Sequence, residues 1–109
     1  MRPYRHLERR IDHLLARAEH HVDERLIHEM EDLLATGYAY ALAGDARSRH
    51  LRRRLDALAD DVADEGMAAE MRRLTLEQRA LEDSVRELRA RLASLRELVS
   101  DRGRAHLSG

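Results

Sequence analysis

The chain has 109 residues and a net charge of −1, with 38% charged side chains and only arginine among its twenty basic residues. One Pro, five Gly, three Tyr and no Phe, Trp or Cys exclude a disulfide scaffold, a thiolate metal site and a collagen-like chain; the scarcity of strand formers excludes a β-sandwich. A balance so close to neutral supplies no overall field to draw nucleic acid or a membrane surface.

The length suits one folded unit, expected over residues 1–103 with a flexible tail at 104–109. The N-terminus, Met-Arg-Pro-Tyr-Arg-His, is charged throughout and lacks the apolar segment of a secretory signal. The longest uncharged stretch, Leu33 to Gly44, is twelve residues, too short to cross a bilayer. The expectation is a soluble, cytoplasmic protein with no membrane partner.

Pro3 fits the first turn of a helix, where its missing N–H costs little. Apolar or small residues then recur at Tyr4, Leu7, Ile11, Leu15, Ala18, Val22, Leu26, Leu33, Gly37, Tyr40 and Gly44. Their steps of 3, 4 and 4 make an eleven-residue repeat, broken only where Glu29 occupies a seam position and Met30 must substitute, and close to the period of a straight helix. The repeat predicts one long helix over about 3–43, with room for a kink near His20-His21. Gly37, Ala41, Gly44 and Ser48 put small residues on one face, which suits close helix packing. Gly44-Asp45 is a turn signal, since Gly ends helices and Asp caps them.

A second, short helix is expected over about 46–63, with Leu51, Leu55, Leu58 and Val62 on one face. Asp64-Glu65-Gly66 marks its end, although a helix continuous through Gly66 is the alternative. The third helix, about 67–102, carries a heptad seam: Met67, Leu74, Leu81, Leu88 and Leu95 every seven residues, with Met71, Gln78, Val85, Leu92 and Val99 between them. The predicted fold is therefore all-α, a long-short-long antiparallel three-helix bundle or coiled coil.

At ~1.5 Å per residue the three helices would measure about 60, 25 and 53 Å. A short middle helix would leave Leu7, Ile11 and Leu14 at one end bare, and likewise Leu88, Leu92, Leu95 and Val99 at the other. The seam is thus expected to be completed by oligomerisation, as a homodimer or with a second helical protein. An antiparallel pair brings Glu77 near Arg91 and is preferred to a parallel one, which sets like charges together. Gln78 would fix register if buried, or snorkel to solvent if not.

Charge falls in blocks: +2 over residues 1–21, −5 over 22–46, +5 over 47–54, −6 over 55–70 and +3 over 71–109. Blocks this compact predict which helices lie together. Arg47, Arg49, Arg52, Arg53 and Arg54 could dock an anionic partner such as nucleic acid or an acidic protein. The flanking acids, and the absence of interleaved aromatic residues, favour a solvated or self-paired face instead.

Five of the seven His lie between His6 and His28. On a continuous helix, His20, Glu24 and His28 would share a face at i, i+4, i+8 and could ligate a metal or sense pH. A solvated face is the plainer account, and no cofactor is expected. No Gly-rich phosphate loop, Cys nucleophile or distinctive carboxylate pair points to catalysis. The sequence therefore predicts a non-enzymatic interaction module, an adaptor or regulator, acting through the Met67–Val99 seam.

Overall fold

In a computed structural model, residues 3–60 and 65–108 are described, the last seven by backbone alone. They form three helices: α1 (Arg5–His20), α2 (Glu24–Ala59) and α3 (Glu65–Ser108). Among the described residues there is no strand, and no helix is long and apolar enough to cross a membrane. The all-α three-helix bundle predicted from composition is the observed fold. Its helix lengths are not the predicted ones: the order is short-long-long.

Two local misreadings account for the difference. The long first helix breaks at His21–Asp23, because Asp23 adopts extended backbone (φ −120°, ψ 175°) and its Oδ1 accepts from the Leu26 amide at 2.8 Å. That side chain satisfies a backbone donor which a helix start otherwise leaves orphaned. Gly44-Asp45, expected to be a turn, lies inside α2 instead. Among the described residues no glycine has a positive φ, so Gly44 is used for its missing side chain.

The 64–66 boundary holds in part: α2 stops at Ala59 and α3 begins at Glu65, so residues 46–102 form two helices. Asp64 and Val62 lie outside the described residues. The tail expected over 104–109 is helical as far as Ser108, since Arg, Ala and Leu around Gly103 are good helix formers.

Helices α2 and α3 form an antiparallel hairpin, as the ladder Asp45–Arg89, Ser48–Glu82 and Arg54–Glu70 shows. Helix α1 folds back along the half of the hairpin remote from its turn, with Tyr4 beside Tyr40 and Arg17 beside Glu29. The particle measures 67 × 23 × 15 Å. One apolar core runs through the three-helix half: Tyr4, Leu7, Ile11, Leu14 and Ala18 from α1, Leu26, Met30, Leu33 and Ala41 from α2, and Val85, Leu88, Leu92 and Leu95 from α3.

Charge follows the predicted logic. The basic residues of α1 face the acidic start of α2 across a cleft lined by His6, Arg10, His13, Arg17, Glu29 and Asp32. The Arg47–Arg54 run faces carboxylates of α3.

Candidate functional site

The seam residues divide into two sets. Leu88, Leu92 and Leu95 are fully buried and Val85 nearly so, packed in the same core as α1. The bare late half predicted for the seam is therefore corrected: α1 and a long α2 cover it from within. Leu7, Ile11 and Leu14, also expected to be bare, are buried in that core. Val99 packs at its edge and Leu81 alongside. Toward the hairpin turn Leu74 is buried, while Met67, Met71 and Gln78 stay half-buried because no third helix lies there. Gln78 is no buried register amide; its Nε2 donates to Glu82 of its own helix at 3.3 Å.

Two glycines let side chains close on α2: Gly37 admits Leu92 of α3, and Gly44 admits Val85 of α3 and Tyr4 at the start of α1. A methyl group on Gly37 would strike the Leu92 side chain; one on Gly44 would lie 2.6 Å from Val85 Cγ2 and closer still to Tyr4 Oη. Both positions let a neighbour approach the α2 backbone, and Ser48 on the same face donates to Glu82 at 3.2 Å. Sequence reasoning named this small-residue face but not what it holds. The Tyr4 ring closes the groove, edge-on to Tyr40 with centroids 6.3 Å apart. Burial, and secondarily the Asp45 carboxylate, hold the Tyr4 phenol above its usual value.

Charged groups fasten the same helix. Glu8 is buried on α1, with one oxygen paired to Arg91 and the other, Oε1, without a hydrogen-bond partner. Arg91 also donates from Nε to Asp12 at 3.2 Å. On the far side of the hairpin Arg89 makes two hydrogen bonds to Asp45, at 2.6 and 3.2 Å, and these hold the Asp45 carboxyl below its ordinary range. Glu77 and Arg91, which an antiparallel homodimer would have paired, already have partners: Arg47 and Arg73 for Glu77, Glu8 and Asp12 for Arg91.

Beyond the first turn of α1 the groove continues as a cleft of about 410 Å³. Its floor is Ala43, Gly44, Ala80 and Leu81, and the Arg47–Glu77 ion pair (2.6 Å) lies along its edge.

The other expected sites are not assembled. Arg47, Arg52 and Arg54 pair with Glu77, Glu82 and Glu70, and Arg49 lies in the field of Asp45, so the run is largely neutralised within the chain. Among the described residues, Arg49 and Arg53 make no ion pair as close as those three. His20, Glu24 and His28 do not share a helix face, because the break at His21–Asp23 separates His20 from the other two. Glu24 and His28 approach to 3.9 Å, but among the described residues no three His, Cys, Asp or Glu side chains gather as a metal site would require.

No family model matches the chain, and neither the curated proteins nor the solved structures contain one similar to it.

Proposed function

We propose that the protein is a non-enzymatic helical interaction module that seats an amphipathic helix in the groove of its α2–α3 hairpin. It thereby homodimerises or binds a helical partner, as an adaptor or regulator does. The observation that carries this reading is α1 itself. It is a separate helix of 16 residues, joined by three residues, packed on the leucine-rich core of α2 and α3 with Tyr4 at its start resting on Gly44. Helix-in-groove recognition reads apolar anchors three and four residues apart along one face, and Leu7, Ile11, Leu14 and Ala18 follow one another in steps of 4, 3 and 4. The charged groups of the hairpin are largely paired with each other, which supports a scaffold rather than a catalyst.

Compared with the expectation from sequence, the binding element moves from a bare seam to the groove between two helices. Light scattering of the intact protein across micromolar to millimolar concentration, beside anisotropy of a labelled peptide of residues 4–20, tests the reading. Concentration-dependent mass above the 12.6 kDa of one chain, or saturable uptake of the peptide, is the expected result. A protein that stays monomeric and takes no peptide overturns it.

A further inference from the structure

Resting on the helix-docking reading, we propose that the occupant of the groove is exchanged between copies: α1 of one chain docks on the hairpin of a second, giving a two-fold dimer with swapped α1 helices.

The sequence and the fold describe the hinge differently, and the difference is informative. The apolar repeat Tyr4, Leu7, Ile11, Leu15, Ala18, Val22, Leu26 runs through residues 21–23 without a shift of phase, and no Gly or Pro occurs between Tyr4 and Thr36. It is the pattern of a single helix. In the structure the same residues are cut by one extended step, at His21 (φ −162°, ψ 130°) and Asp23. The break is held by the Asp23 cap on the Leu26 amide and by burial of α1. Closing it into helix would join Arg5–His20 to Glu24–Ala59 as one rod about 80 Å long and satisfy the backbone groups now left at both ends.

The orientation permits exchange. α1 runs antiparallel to α2 and parallel to α3. If α1 swings out to continue α2, a two-fold axis across the rod lays it on the hairpin of the second copy in that same orientation. The seating of Tyr4 on Gly44, the pairing of Glu8 and Asp12 with Arg91, and that of Arg17 with Glu29 then all re-form between chains. Exchange of an identical element about a short hinge keeps native contacts and adds only the cost of association.

The chain has no cysteine, so labelling sites can be placed cleanly. Arg17→Cys with Glu29→Cys replaces an exposed ion pair between α1 and α2, and a short bis-maleimide reports whether the two positions belong to one chain. Asp23→Ala removes the cap that holds the break and is expected to tighten the dimer about thirtyfold, since a cap contributes ~1 kcal/mol, the dimer contains two hinges and each ~1.4 kcal/mol is a factor of ten. Val22→Pro forbids helix at the hinge yet suits the closed form, because His21 already has the extended backbone a residue before proline prefers; it is expected to give a folded monomer. Cross-links that join two chains in the dimer fraction and rise with Asp23→Ala support the exchange. A dimer cross-linked only within chains overturns it while leaving the helix-docking reading intact. A monomer that binds the 4–20 peptide, with or without Asp23→Ala, has the same consequence. A monomer that binds no peptide removes both.

Discussion

Glu8 enters the core with only one of its two oxygens paired. A buried polar atom without a partner costs about 1–3 kcal/mol, and here that cost opposes the seating of α1. Replacing Glu8 with an apolar residue of similar reach does not strand its partner, because Arg91 keeps Asp12. Glu8→Met is therefore expected to stabilise the fold by about 1 kcal/mol, raising Tm by about 4 °C or more in a thermal melt followed by circular dichroism. Arg91→Met should do the opposite, leaving a buried carboxylate alone at a cost of about 3 kcal/mol. The glycines make a second contrast. Alanine favours helix by ~1 kcal/mol over glycine, but at Gly44 it meets the stiff, β-branched Val85 as well as Tyr4, whereas at Gly37 the atoms nearest to it belong to the flexible Leu92. Denaturant unfolding should find Gly44→Ala destabilised by about 1–3 kcal/mol and Gly37→Ala less affected. The sequence showed these glycines as small but gave no sign that a tyrosine forty residues away rests on one of them.

Among the elements, α3 was the most legible and α1 the least. Ten heptad positions define a helix whatever covers it, so the seam could be read from spacing alone. What covers it could not. The apolar stripe of α1 joins that of α2 in phase, and the break between them depends on one aspartate whose capping role looks the same in sequence as a solvated acid. The misplaced break then turned a hairpin with a folded-back helix into two long arms with bare ends. The structure consequently changes what truncating the seam should do. Substituting Leu88, Leu92 and Leu95 with Ala in an exposed interface would separate subunits. In a fully buried core each costs about 2–5 kcal/mol against a total stability of about 5–15. The triple variant is expected to lose its helical circular dichroism at room temperature, where dissociation alone would leave most of it in place.

At the scale of the molecule, charge fixes the register that the apolar surface leaves open. Leucine packs against leucine at several offsets, but Asp45 on Arg89, Glu70 on Arg54, Glu77 on Arg47 and Glu82 on Arg52 agree on one alignment of the hairpin. The block pattern announced that opposite charges would meet; which residues met depended on the length of α2. Two of these acids are shifted by their partners. The Arg89 hydrogen bonds draw Asp45 below its ordinary 3.8, and those of Arg73 draw Glu70 below its ordinary 4.5. A carboxyl whose folded pKa is depressed binds fewer protons folded than unfolded, so its stabilisation is complete above the unfolded value and disappears as pH falls through the folded one. Stability should thus be level above about pH 5 and decline steadily below pH 4. Asp45→Asn separates this contribution from the general effect of acid. Urea unfolding should find the variant less stable than the parent at neutral pH, with the two converging in acid as the parent's own carboxyl becomes protonated. Equal separation of the two proteins at both pH values would mean that Asp45 acts through packing and not through its charge.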